Sequence, residues 1–136
     1  VSPRAVAIAC LLALAPLSAL AQWEAPPSEK DRKNPVAPTN DALQKGRALY
    51  QKHCASCHGR KGKGDGPAAG YRSGTPVDLT NPELREMPDG EIFWKISTGL
   101  KEDKDVLMPA FTKEMPNELD RWKVILFVRT LHATGP

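Results

Sequence analysis

The sequence predicts an all-α fold: a small helical domain, preceded by an extended N-terminal arm. Three observations predict it. Apolar residues recur at spacings of three and four in segments opened by Asn or Asp; no stretch alternates apolar and polar residues as a half-buried strand would; and the connecting segments are rich in glycine and proline. The chain has 136 residues, enough for one core and too few for two. Nineteen bases against sixteen acids leave a net charge of +3. That balance, without a basic stripe interleaved with aromatics, excludes a dedicated nucleic-acid binder. Three cysteines exclude a disulfide scaffold.

Residues 1–21 read as a secretory signal peptide. Arg4 precedes an apolar run from Ala5 to Leu14, and Ala19-Leu20-Ala21 supplies a small-residue cleavage site. The run is short for a bilayer-spanning helix, although an uncleaved anchor is the competing reading. Cys10 lies inside the run, whereas a lipidated cysteine would end it. Export predicts a periplasmic protein with no membrane span after cleavage. It also places Cys54 and Cys57 in an oxidising compartment.

Residues 22–39 carry Pro26, Pro27, Pro35 and Pro38, which favour extended backbone over helix. This arm either drapes over the domain through Trp23 and Val36 or serves as a linker. The domain proper is assigned to residues 40–132, with a short tail at 133–136. Asn40-Asp41 caps a first helix with Leu43, Gly46, Leu49 and Tyr50 on one face. Six glycines between Gly59 and Gly74, with Pro67 and Pro76, predict a long wrapped loop. Asp89 opens a helix bearing Ile92, Phe93 and Ile96, which Gly99 ends. Lys101 to Asp105 is a solvated charged loop. Asn117 caps a last helix with Leu119, Trp122, Val124 to Val128 and Leu131.

The chemistry resides in Cys54-Ala55-Ser56-Cys57-His58. Thiols three residues apart on a helix face one side, and can join the two vinyl groups of a haem. His58 then projects over the ring as an iron ligand; this is the C-x-x-C-H attachment pattern. Three other readings compete. Zinc needs further ligands, and beyond the motif residues 22–136 offer only His53 and His132. A thioredoxin-like pair needs a βαβ setting. A local disulfide leaves His58 unexplained.

A second axial ligand is sought among Met87, Met108 and Met115, each followed by proline. Met87 and Met115 abut helix starts. Met108 lies between Leu107 and Ala110-Phe111, in an apolar loop suited to closing over a haem edge, and is the expected ligand, with Met115 next.

From Asn40 to Leu131 the chain resembles the class I monohaem c-type cytochromes. The resemblance rests on Gly46 to Tyr50, Cys54 to Gly59, Gly64 to Pro67, Asp78 to Thr80, Met108 to Phe111 and the Trp122–Leu131 helix. It implies a helical domain wrapped around one covalent haem c, held by Cys54 and Cys57 and ligated by His58 and Met108. It further implies that Gly46 lets the first and last helices touch, that Tyr50 and Phe127 pack beside that crossing, and that the Pro67 carbonyl accepts the His58 ring proton. Leu79, Ile92, Phe93, Ile96 and Phe111 are candidates for either the haem pocket or ordinary core. Trp94 either reaches a propionate or covers surface.

With both axial positions filled, the expected task is one-electron transfer between redox partner proteins, without enzymatic activity. A gas- or peroxide-binding haem protein with a labile sixth ligand is the rival. A third reading is an electron-transfer subunit on a larger oxidoreductase. Lys52, Arg60, Lys61 and Lys63 form either a docking ring for an acidic partner or a plain solvated surface. His53 is expected at the surface and His132 at a frayed end.

Overall fold

The fold is described by a computed structural model, which covers residues 23–71 and 74–132. The signal, Cys10 and the tail at 133–136 lie outside the described residues. Helix α1 spans Pro27–Lys30, α2 Asn40–His53, α3 Ala55–His58, α4 Pro82–Glu86, α5 Asp89–Thr98 and α6 Glu118–Leu131. A 3-10 turn occupies Ala69–Tyr71. Strands β1 (Leu100–Glu102) and β2 (Asp105–Met108) form an antiparallel hairpin.

Helices α2 and α6 form the frame. The side chain of Thr39, one residue before the predicted Asn40-Asp41 cap, accepts from the Ala42 amide at the start of α2. Asn117 caps α6 as predicted, accepting from the Leu119 amide. The two helices cross at Gly46. A Cβ there would lie 2.0 Å from the Lys123 carbonyl oxygen, so only glycine admits this approach. Tyr50 and Phe127 pack beside the crossing with ring centroids 5.0 Å apart.

Helix α5 lies against α6 and completes the core. Its Phe93 ring stacks on Trp122 at 4.1 Å, and the Arg32 and Arg121 guanidiniums sit over Phe93. Trp122, Tyr50, Met115, Ile125 and Val124 are the largest fully buried side chains. Asp89 is not the cap of α5; Pro88 holds that position, and Asp89 accepts from Arg129 of α6 instead. Gly99 ends α5 with φ +68°, as the sequence predicts.

Three features depart from the sequence reading. The arm is not wholly extended: Pro27–Lys30 makes one helical turn, with Pro27 at its first position, where a missing N–H costs nothing. Helix α4 occupies a stretch with no apolar periodicity, capped by Asn81 and begun by Pro82. The charged loop at Lys101 to Asp105 is the end of a hairpin, turning at Asp103 with φ +50°. Its residues are exposed, as expected for a solvated segment.

The arm is draped on the domain. Ala25 is buried, Val36 packs against the core, and the Asn34 side-chain amide donates to the Trp122 carbonyl at 3.0 Å.

Candidate haem-attachment cleft

The last turn of α2 delivers Cys54, and α3 continues through His58. The amides of Cys57 and His58 both donate to the Cys54 carbonyl, at 3.2 and 2.9 Å. This tight turn leaves the carbonyls of Ser56, Cys57 and His58 without helical partners. The glycine-rich loop supplies them: Ala68, Gly66 and Gly64 donate to these carbonyls in turn, at 2.7, 3.0 and 2.8 Å. A Cβ on Gly66 would lie 2.3 Å from the Ser56 oxygen, so the loop's composition follows from its closeness to the motif. The Tyr50 hydroxyl donates to the Gly59 carbonyl at 2.7 Å and fixes the motif's exit.

Cys54, Cys57 and His58 open onto a cleft of about 310 Å³. That volume is within the range of small-molecule and cofactor sites. Val77 and Pro76 form one part of its lining; Leu100, Leu107, Met108, Pro109 and Phe111 form another. Neither cysteine is in a disulfide. Burial pushes the Cys54 thiol up to about 12, so it is protonated. Burial also lowers the His58 pKa and favours the neutral ring, against the opposing effect of the Val77 carbonyl.

Met108 ends β2, a strand where the sequence reading expects a loop, and lines this cleft. Met115 is 2% exposed and sits in the core. Met87 is half-buried, with its sulfur 3.8 Å from the Lys95 ammonium.

Several expectations are corrected. The Pro67 carbonyl does not partner His58; Nδ1 of His58 instead lies 3.1 Å from the Val77 carbonyl. Pro67 is exposed and outside the cleft lining, because its flanking amides are committed to the carbonyls of the motif turn. Of the candidate pocket residues only Phe111 lines the cleft; Ile92, Phe93 and Ile96 are core, with Leu79 packed against it. His53 is not simply a surface residue. It lines the cleft and packs edge-on against Phe111 at 6.2 Å. Trp94 does not line the cleft, whereas Trp23 of the arm does. Lys52 reaches the cleft, but Arg60, Lys61 and Lys63 border a separate groove near Thr80 and Leu131.

The donor set fits a covalently held haem. Two thiols and an imidazole enter from one turn, a thioether enters from the hairpin, and apolar side chains dominate the remainder. Among the described residues, no group of three or more His, Cys, Asp or Glu side chains could hold a metal ion.

Residues 41–128 match the family model described as cytochrome c oxidase, cbb3-type, subunit III. The chain belongs to this family of c-type cytochromes. A solved structure, the Kuenenia stuttgartiensis reducing HAO-like protein complex Kustc0457/Kustc0458, is similar with a TM-score of 0.59 and 28% identity. That match covers 71% of this cytochrome and 46% of the other chain, so the cytochrome spans less than half of that neighbour's length. No curated protein matches it. A cytochrome c domain implies electron transfer and haem c as the cofactor. Among the described residues no helix is long and apolar enough to cross a membrane.

Proposed function

We propose that this cytochrome is a periplasmic one-electron carrier, with one haem c that Cys54 and Cys57 would hold covalently and His58 and Met108 would ligate. The supporting observation is the meeting of these four side chains on one apolar cleft, although Met108 is fifty residues beyond His58 in the chain. The haem supplies the one-electron redox couple.

The residues around it have separable tasks. Cys54 and Cys57 would hold the haem covalently through their sulfur atoms. The His58 Nδ1–H donates to the Val77 carbonyl, which sets the tautomer and leaves the Nε2 lone pair free for a metal. Thioether ligation by Met108 and the apolar lining both favour the reduced state and raise the potential. A haem held by both His58 and Met108 would have no open site for substrate, which suits a carrier. His53 is the one other titratable ring in the cleft, and burial, its main influence, lowers its pKa.

A second reading, an electron-transfer subunit of a larger oxidoreductase, is favoured by the similar chain's place in a protein complex. The electronic task is the same.

The visible spectrum of the oxidised protein tests the ligand assignment. The wild type should show low-spin iron with a weak sulfur-to-iron band in the far red. Met108→Ala should abolish that band. Met115→Ala should keep it while lowering stability by about 2–5 kcal/mol, as expected for an emptied core position. High-spin wild-type iron that readily binds carbon monoxide would favour a ligand-binding protein instead.

A further inference from the structure

Among the described residues of the arm, Trp23 lines the cleft. Its indole Nε1 donates to the Gly99 carbonyl at 2.9 Å, and the Lys95 ammonium lies 4.8 Å from its ring centroid. Gly99 is itself pressed against the ligand segment. A Cβ at Gly99 would lie 2.5 Å from the Met108 carbonyl oxygen and 2.6 Å from the Ala110 amide nitrogen. Next in the chain, Leu100 pairs with Met108 across the hairpin.

The arm is anchored independently of the cleft. Ala25 is buried, and the α1 turn packs on the start of α5 so closely that a Cβ on Gly90 would be 2.0 Å from the Glu29 carbonyl oxygen. Lys30 lies 3.7 Å from Glu91, which also pairs with Lys95 at 2.8 Å. Trp23 is thus held at a fixed distance from a docked turn, with Lys95 stacked on its ring.

We infer that the arm is a clasp for the cleft, and that Trp23 is a positioning residue that holds the Met108 segment in place through its hydrogen bond to Gly99. The inference rests on the proposed His58 and Met108 ligation. It assigns to the arm the control of how readily the sixth ligand is displaced. Trp23 forms lining and anchor together, and the hydrogen bond separates the two roles.

The test is imidazole binding to the oxidised haem-loaded protein, followed at the far-red band. Trp23→Phe keeps an aromatic ring but has no N–H to give Gly99. It should bind imidazole about three- to tenfold more tightly than the wild type, the factor equivalent to losing one neutral hydrogen bond of about 0.6–1.4 kcal/mol. Trp23→Ala should be displaced more easily still. Glu24→Gln, which removes an exposed ion pair with Lys30 but keeps the Trp23 hydrogen bond to Gly99, should match the wild type. Urea unfolding run in parallel separates general loosening from ligand displacement within the folded state. Wild-type imidazole affinity in Trp23→Phe overturns the inference, whatever Trp23→Ala does. A wild-type protein that lacks the far-red band overturns the ligand assignment itself, so the two failures are distinguishable.

Discussion

Substituting Gly46 by alanine tests the helix crossing that supports the whole domain. The added Cβ would sit 2.0 Å from the Lys123 carbonyl oxygen and 2.7 Å from its carbon. Carbon atoms in ordinary contact stand about 3.5–4 Å apart, so α2 and α6 must separate by roughly 1–1.5 Å. The obstacle is backbone within a helix and cannot rotate away. Phe127 lies 3.4 Å from the same point, and Tyr50 packs on Phe127 with the rings tilted, so separation also loosens that pair. Overpacking of this kind costs about 1–3 kcal/mol, and a rigid neighbour places the cost near 3. Alanine returns about 1 kcal/mol through its better helix propensity. The net expectation is about 2 kcal/mol of destabilisation. With a urea m-value of about 2 kcal/mol/M, the unfolding midpoint of the haem-loaded protein should fall by about 1 M at unchanged slope. A midpoint within about 0.3 M of wild type would refute the close crossing.

Arg129 ties α6 to the segment before α5: it donates to the Asp89 carboxylate and to the carbonyls of Leu84, Arg85 and Met87. Arg129→Met should cost about 2 kcal/mol in urea unfolding, and Arg129→Lys should recover less than half, because an ammonium cannot span four acceptors. His132 responds to pH. Burial first, and then the Arg129 charge, lowers its ring pKa. The unfolded state therefore binds more protons as pH falls below about 6.5, so the contribution is complete above that pH and is lost as pH drops through the lowered folded value. His132→Gln should flatten that part of the stability profile between pH 7 and 5, and an unchanged profile would contradict a half-buried ring with a lowered pKa.

The sequence is most informative where chemistry and local geometry coincide. The cysteine-histidine motif, the Asn117 cap, the Gly99 stop and the Gly46 crossing each require a particular residue, and the structure places each accordingly. The hairpin left no signal because its strands are three and four residues long and its charged end is exposed, so no alternation arises. Helix α4 did leave one, in Asn81-Pro82, a cap followed by proline at the first turn. Periodicity marked Ile92, Phe93 and Ile96 as a buried face, but it cannot say whether core or cleft lies opposite. The resemblance implies Pro67 as the partner of His58, but a Gly-Pro pair does not show which carbonyl meets the ring. The loop containing Pro67 is spent on the carbonyls of the motif turn, and the Pro76-Val77 segment provides the acceptor. The sequence marks Trp23 as a residue through which the arm drapes over the domain, but its partner, the Gly99 carbonyl, is set only by tertiary docking.

The central claim is a haem covalently held at Cys54 and Cys57, and the mass of the denatured, intact protein, matured in cells that export and attach haem, tests it most directly. The mass should exceed that of the polypeptide by one haem, and the excess should disappear when both cysteines are changed to alanine. A mass equal to the bare polypeptide, with both thiols still open to alkylation, would contradict it.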